Sequence, residues 1–172
     1  MTDLEKIAPL FAGWEETMIW SCLQGVMGRA VWNQGRTAAA IISGDFSFLA
    51  GEPDETVLRR VPGPLLVPGS GGWSRLIEQV HGDRAVRETR YAILKEPDVF
   101  DREKLARFAA SLPAGYEMRE ITEELVPVLL AEVWSKDFCS AFESPADCCR
   151  RGVGYVALWN GAPVAGAGSY CV

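Results

Sequence analysis

The feature that most constrains this chain is its final stretch, GYVALWNGAPVAGAGSYCV. Asn160-Gly161 lies between two apolar runs, and both residues tolerate the positive φ that a two-residue type I′ turn demands, so the segment reads as a β-hairpin. Such a turn makes Trp159 and Ala162 the first hydrogen-bonded pair. It sets Leu158 opposite Pro163 at a non-bonded position, where the missing proline N–H is harmless. Continued regularly, the ladder pairs Ala157 with Val164 and Tyr155 with Gly166. From Val164 onward the outer edge of the second arm is expected to offer free backbone groups. Gly166 and Gly168 point to one face of that arm, and Ala165, Ala167 and Ser169 to the other. So little side-chain volume implies close approach by backbone, helix or ligand.

The preceding sequence alternates helical and strand-like runs. Thr17 to Met27 reads as a buried helix with Gly28 as its C-cap. Two strand-like runs follow in RAVWNQGRTAAAIISGDFSFLAG, joined by a turn at Asn33 to Arg36. A short strand, PLLVP, leads through the glycine turn PGSGG into an amphipathic helix, WSRLIEQV, that ends at Gly82. RETRYAILKE (87–96) reads as a further strand, and the order strand, helix, strand predicts that part of the sheet is parallel.

Asp101 is a cap for the next helix, with Phe100 stapled to Leu105 and an apolar stripe of Leu105, Phe108, Ala109 and Leu112. Then come the strand YEMREI and a helix from about Thr122 through Trp134. Pro127 lies too far in for a first turn, so either Glu123 to Val126 form a separate turn or the helix kinks. Ser144-Pro145 opens a short helix that Gly152 closes.

The fold class expected is mixed α/β (α+β). A boundary near Ala114 separates an N-terminal α/β region, residues 1–114, from residues 115–172, a strand, two helices and a hairpin.

Composition narrows the function classes. Of 172 residues, 48% are hydrophobic and 23% charged, which suits a soluble globular protein. No apolar stretch approaches the roughly 20 residues a membrane helix needs, and MTDLEKIAPLF has no basic n-region of a secretory signal. Five cysteines without framework spacing suggest reduced thiols, so a cytoplasmic location is expected. A net charge of −6 disfavours nucleic acid as a partner.

Several residues are candidates for chemistry. His81, the one histidine, sits at a helix C-terminus where partial positive charge suits the dipole. Cys148-Cys149 diverge on a helix and Cys139 has no zinc-ligand spacing, so a core role is expected and no metal site. Pro68 to Gly72 link strand to helix but match neither G-x-G-x-x-G nor G-x-x-x-x-G-K-[ST]. WSKDFCSAFES, from Trp134 to Ser144, either lines a pocket or plugs a helix corner.

Five phrases occur in order: GDFSFLAGEP (44–53), TRYAILKEPDVFDREKL (89–105), SLPAGYEMREI (111–121), WSKDFCSAF (134–142) and GYVALWNGAPVAGAGSY (154–170). Together they resemble the GNAT N-acetyltransferase family, in the group that includes zwittermicin A resistance proteins. The resemblance implies acetyl transfer from acetyl-CoA to an amine of a small molecule, an aminated antibiotic being one such acceptor. It implies that residues 115–172 are the first part of a GNAT domain; a degenerate copy of the same fold is a separate hypothesis for the N-terminal region.

By position in that fold, Trp134, Asp137 and Phe138 line the acceptor site, with Ser169 and Tyr170 beside the cofactor strand. Asp137, Glu132 or Glu143 would attract an ammonium group, and no catalytic base is assigned. The family holds the cofactor pyrophosphate on an R/Q-x-x-G-x-G/A loop that opens a helix. That loop is not found in these residues, so the cofactor-binding half is expected to be missing, with acetyl-CoA not bound by this chain and the chain inactive alone. The alternative is a non-catalytic module that pairs through its exposed C-terminal strand edge, as a homodimer or a strand-swapped pair.

Overall fold

The computed structural model describes residues 2–91, 93 and 96–172. They form two compact units, Met1–Arg87 with Cys171–Val172, and Glu88–Tyr170. The boundary expected near Ala114 is a different cut, because the helix Arg102–Ala110 groups with the second unit.

The first unit contains α1 (Asp3–Ile7), α2 (Thr17–Leu23), β1 (Arg29–Trp32), β2 (Ala38–Ser43), β3 (Phe46–Gly51), α3 (Glu55–Leu58), β4 (Leu65–Pro68) and α4 (Gly71–His81). Its sheet runs β1-β2-β3-β4. The first three strands are antiparallel and β4 lies parallel to β3. A parallel pair is present as expected, but the short α3 makes the crossover rather than α4.

Strand alternation builds two cores from one sheet. Ala38, Ala40 and Ile42 of β2 and Leu49 of β3 pack with Val57, Leu58, Trp73 and Ile77. Ala39, Ile41, Phe48 and Ala50 face the other way, onto Ile7, Phe11, Ile19 and Cys22. All six residues of β2 are buried. Its three alanines have weak strand propensity but let helices approach both faces closely. Trp73 is fully enclosed, and its indole Nε1 donates to the Gly51 carbonyl at 3.0 Å.

Three expectations for this region change. The helix from Thr17 stops at Leu23, four residues short of Met27, with Gln24 as its C-cap. Gly28 instead launches β1: at φ +80 it passes so close to β2 that an added Cβ would meet the Ile42 carbonyl at 2.8 Å. The run after Arg36 is two strands rather than one, because Gly44, at φ +55, turns the chain between β2 and β3. Of the strand expected over 87–96, Ala92, Leu94 and Lys95 lie outside the described residues, and the described ones form no strand.

The second unit contains α5 (Arg102–Ala110), β5 (Tyr116–Glu120), α6 (Val126–Ala131), a 3-10 turn (Lys136–Phe138), α7 (Pro145–Arg151), β6 (Gly154–Trp159) and β7 (Ala162–Gly168). The Asp101 side chain accepts from Lys104 N–H at 2.9 Å and caps α5 as expected. The stripe members Leu105 and Phe108 are exposed. At Pro127 the separate-turn alternative holds: Leu125 and Val126 N–H both donate to the Thr122 carbonyl, and α6 starts after that turn. The helix ends at Ala131 rather than Trp134.

The sheet order is β5-β6-β7, antiparallel throughout. Asn160 and Gly161 both have positive φ, +50 and +83, as a type I′ turn requires. Trp159 pairs with Ala162 and Leu158 with Pro163 as read from the sequence. The ladder then shifts, so that Ala157 opposes Ala165, Val156 opposes Gly166 and Tyr155 opposes Ala167. The expected pairs Ala157–Val164 and Tyr155–Gly166 do not form. A one-residue slip exchanges the faces of a strand, and here it turns Gly166 and Gly168 to the side of buried Val156.

Among the described residues β7 pairs only with β6. No helix of the described residues is long and apolar enough to cross a membrane.

Candidate functional site

The corner after α6 is closed by a buried hydroxyl. Ser135 Oγ donates to the Leu129 carbonyl at 2.8 Å, and the 3-10 turn follows directly. Trp134 and Phe138 meet edge to face with ring centroids 5.9 Å apart. Phe138 also lies over the glycines of β7, where an added Gly166 Cβ would stand 2.7 Å from its Cε2. The low side-chain volume of β7 on this face is matched to an aromatic ring.

Phe138 and Ser169 share a small cavity with Glu120, Ile121, Phe142, Cys148, Cys149 and Gly152 to Gly154. Its volume, about 10 Å³, is that of a single water. The Ser169 hydroxyl donates to the Val153 carbonyl at 3.2 Å and accepts from Val153 N–H at 3.1 Å, which holds the end of β7 to the start of β6. Trp134 joins this group through Phe138. Asp137 is exposed on the 3-10 turn, and neither it nor Tyr170 lines this cavity.

Next to the cavity opens a broader groove of about 520 Å³, lined by Glu120, Ile121, Thr122, Glu123, Glu124 and Cys149. Three carboxylates at the end of β5 and in the following turn give it a negative wall that suits a cation. The sequence reading missed these glutamates. Their signal is the run EITEE directly after a strand, which resembles any solvated helix start. Cys149 reaches the same groove from α7, its Sγ donating to the Ile121 carbonyl at 3.6 Å. Burial raises its pKa, with Cys148, Glu123 and Glu120 adding to the effect, so the thiol stays protonated.

The buried acid of this unit is Asp147. Ser144 Oγ accepts from Asp147 N–H at 3.1 Å, and the Asp147 carboxylate accepts from Glu143 N–H at 3.4 Å, so the two side chains cap α7. Arg151 binds the same carboxylate through Nε and an η nitrogen, both at 2.7 Å, and Arg150 adds a bond at 2.8 Å. The Arg151 guanidinium is the largest cause of a pKa lowered to about 2. This is a structural anion with its bonds satisfied. Glu132 is the C-cap of α6, and among the described residues neither it nor Glu143 lines the groove.

In the first unit, Pro68 to Gly72 form a closely packed turn. Gly69 N–H donates to the Leu49 carbonyl at 2.8 Å, and Ser70 Oγ accepts from Trp73 N–H at 3.4 Å. A Cβ at Gly72 would meet the Pro53 ring at 2.7 Å. No group of three or more His, Cys, Asp or Glu among the described residues could hold a metal ion.

The fold is mixed α/β, with a four-stranded sheet in the first unit and a three-stranded sheet in the second. The model of the GNAT acetyltransferase family matches residues 8–172, and the chain belongs to that family. Among solved structures it is similar to the crystal structure of a GCN5-related N-acetyltransferase-like protein from Streptococcus suis 89/1591. The two are 36% identical with a TM-score of 0.87, over 97% of this chain and 70% of that one. No curated protein matches this chain.

Proposed function

We propose that the protein takes part in transfer of an acetyl group from acetyl-CoA to a small-molecule amine. The observation that carries this reading is the family match over residues 8–172, together with the order strand, helix, helix, strand, strand in the second unit. In such a reaction the amine nitrogen attacks the thioester carbonyl, the C–S bond breaks, and the acceptor loses a proton as the CoA thiol leaves. The acidic groove beside β5 supports the acceptor half. Glu120, Glu123 and Glu124 would draw in the ammonium group of the acceptor. The likeness to zwittermicin A resistance proteins adds the proposal that the acceptor is an aminated antibiotic.

Acetyl-CoA is the proposed acyl donor. The family's R/Q-x-x-G-x-G/A loop does not occur in residues 1–172. On that sequence basis we propose that these residues alone bind acetyl-CoA weakly or not at all. Calorimetric titration with acetyl-CoA tests the donor half, and release of CoA thiol in the presence of an amine panel tests transfer. Thiol release by these 172 residues would overturn the weak-binding proposal and support the activity. Failure to bind either acetyl-CoA or an aliphatic diamine would remove the acceptor assignment as well.

A second reading, an interaction module, draws on the outer edge of β7, which pairs with no strand among the described residues. An open edge is a template for strand addition by a second copy. Sedimentation of the purified chain separates the two: a dimer abolished by proline at an outward N–H of β7 favours the module, and a monomer discards it.

A further inference from the structure

The first unit carries a cavity with no part in the acetyl-transfer reading. It opens between the segment before β4 and the end of α4, and its volume is about 300 Å³. That sits at the lower end of the range for small-ligand pockets. Val61, Leu66 and Ala85 wall it, and these residues pack on the core formed around Trp73 and Ile77.

Its polar groups are of one kind. His81, the last residue of α4, and Arg84, on the 3-10 turn that follows, both line the cavity, and no carboxylate does. Arg84 Nε donates to the His81 carbonyl at 3.4 Å, which ties the side chain to the mouth. Among the described residues Arg84 forms no ion pair. The nearby carboxylate on α4, Glu78, is taken by Arg87 at 2.6 Å. An apolar recess with a guanidinium and an imidazole at its rim suits an anion with an apolar body.

We propose that this cavity binds a small aliphatic or aromatic monocarboxylate, its apolar part against Val61, Leu66 and Ile77 and its carboxylate on Arg84, with His81 beside it. The site is independent of the acceptor groove, so it stands or falls separately.

The test is titration of the 172-residue chain with hexanoate, followed by amide chemical shifts, with hexanol, hexylamine and inorganic phosphate as comparison probes. Hexanoate is expected to give saturable shifts confined to residues 61–66 and 77–86. Hexanol should bind at least about tenfold more weakly, and hexylamine and phosphate should not saturate, because the first carries a cation in place of the anion and the second has no apolar body. Arg84→Gln, an exposed change, should weaken hexanoate about tenfold or more. Ala85→Phe should fill the recess and abolish binding while the remaining amide spectrum keeps its folded dispersion. The proposal is overturned if hexanoate gives no saturable shifts, if hexanol binds as tightly, if phosphate competes on equal terms, or if Arg84→Gln leaves the affinity unchanged.

Discussion

Phe138 lies directly on Gly166: a methyl group added to that glycine would come within 2.7 Å of the ring and 3.0 Å of the Tyr155 carbonyl. Gly168 is looser, its nearest contact being Phe138 Cβ at 3.4 Å. Gly166→Ala is therefore expected to destabilise the second unit by about 1–3 kcal/mol through overpacking, and Gly168→Ala to change little. Replacing Phe138 by leucine in the Gly166→Ala background should recover part of the loss. Urea denaturation of the four chains checks this, and equal effects at both glycines would contradict the packing described.

Asp147 makes acid stability specific. Its carboxylate is lowered from 3.8 to about 2, chiefly by Arg151, with the Glu143 N–H and Arg150 contributing. A depressed carboxylate stabilises the fold above its unfolded pKa, and that contribution fades as pH falls through the folded value. Urea midpoints should thus decline between about pH 4 and about pH 2. Asp147→Asn should be less stable at neutral pH and show a flatter decline over that window. A parallel pH profile in the two chains would disprove the linkage.

Thiol reactivity should follow burial. The Cys139 thiol is pushed up to about 12 by burial, with the Cys148 hydrogen bond and the charges of Cys148 and Cys149 adding to it. Burial, with Cys171 second, pushes Cys22 up to about 11. At about pH 8, where an ordinary thiol is partly ionised, iodoacetamide should leave Cys22 and Cys139 unmodified in the folded chain and alkylate both in denaturant. Peptide mass spectrometry reads the result directly.

What was legible in the sequence was mostly local chemistry. Asn160-Gly161, Asp101 and Ser144-Pro145 carry their structural meaning in two or three residues, and each takes the predicted conformation. The hairpin register beyond Pro163 was not legible, because the turn residues fix only the first pairs and the shift between Ala157 and Leu158 has no turn or proline signal of its own. Gly28 misread as a helix cap has a long-range origin: the close Ile42 carbonyl belongs to a strand fourteen residues later. Within the candidate site, Phe138 and Ser169, expected there by position in the fold, line the small cavity. Glu120, Glu123 and Glu124 were passed over, since only the folded chain brings Cys149 of α7 against Ile121 and turns a solvated acidic run into a groove wall.

The groove supplies the last prediction, one that separates the sequence reading of the acceptor site from the structural one. If an ammonium group is drawn in by the carboxylates after β5, each neutralisation should weaken a cationic probe by the modest amount an exposed ion pair contributes. Cadaverine, followed by amide shifts without acetyl-CoA, is a suitable probe because it needs no chemistry to report binding. Glu123→Gln and Glu124→Gln should each reduce its affinity about two- to fivefold, and the double variant should reduce it further. Added salt should weaken the unmodified chain more than the double variant, since it screens charges that the double variant lacks. Asp137→Asn should leave cadaverine binding unchanged, because Asp137 does not line the groove. The reverse pattern, with Asp137 sensitive and both glutamates silent, would return the acceptor site to the corner between α6 and α7.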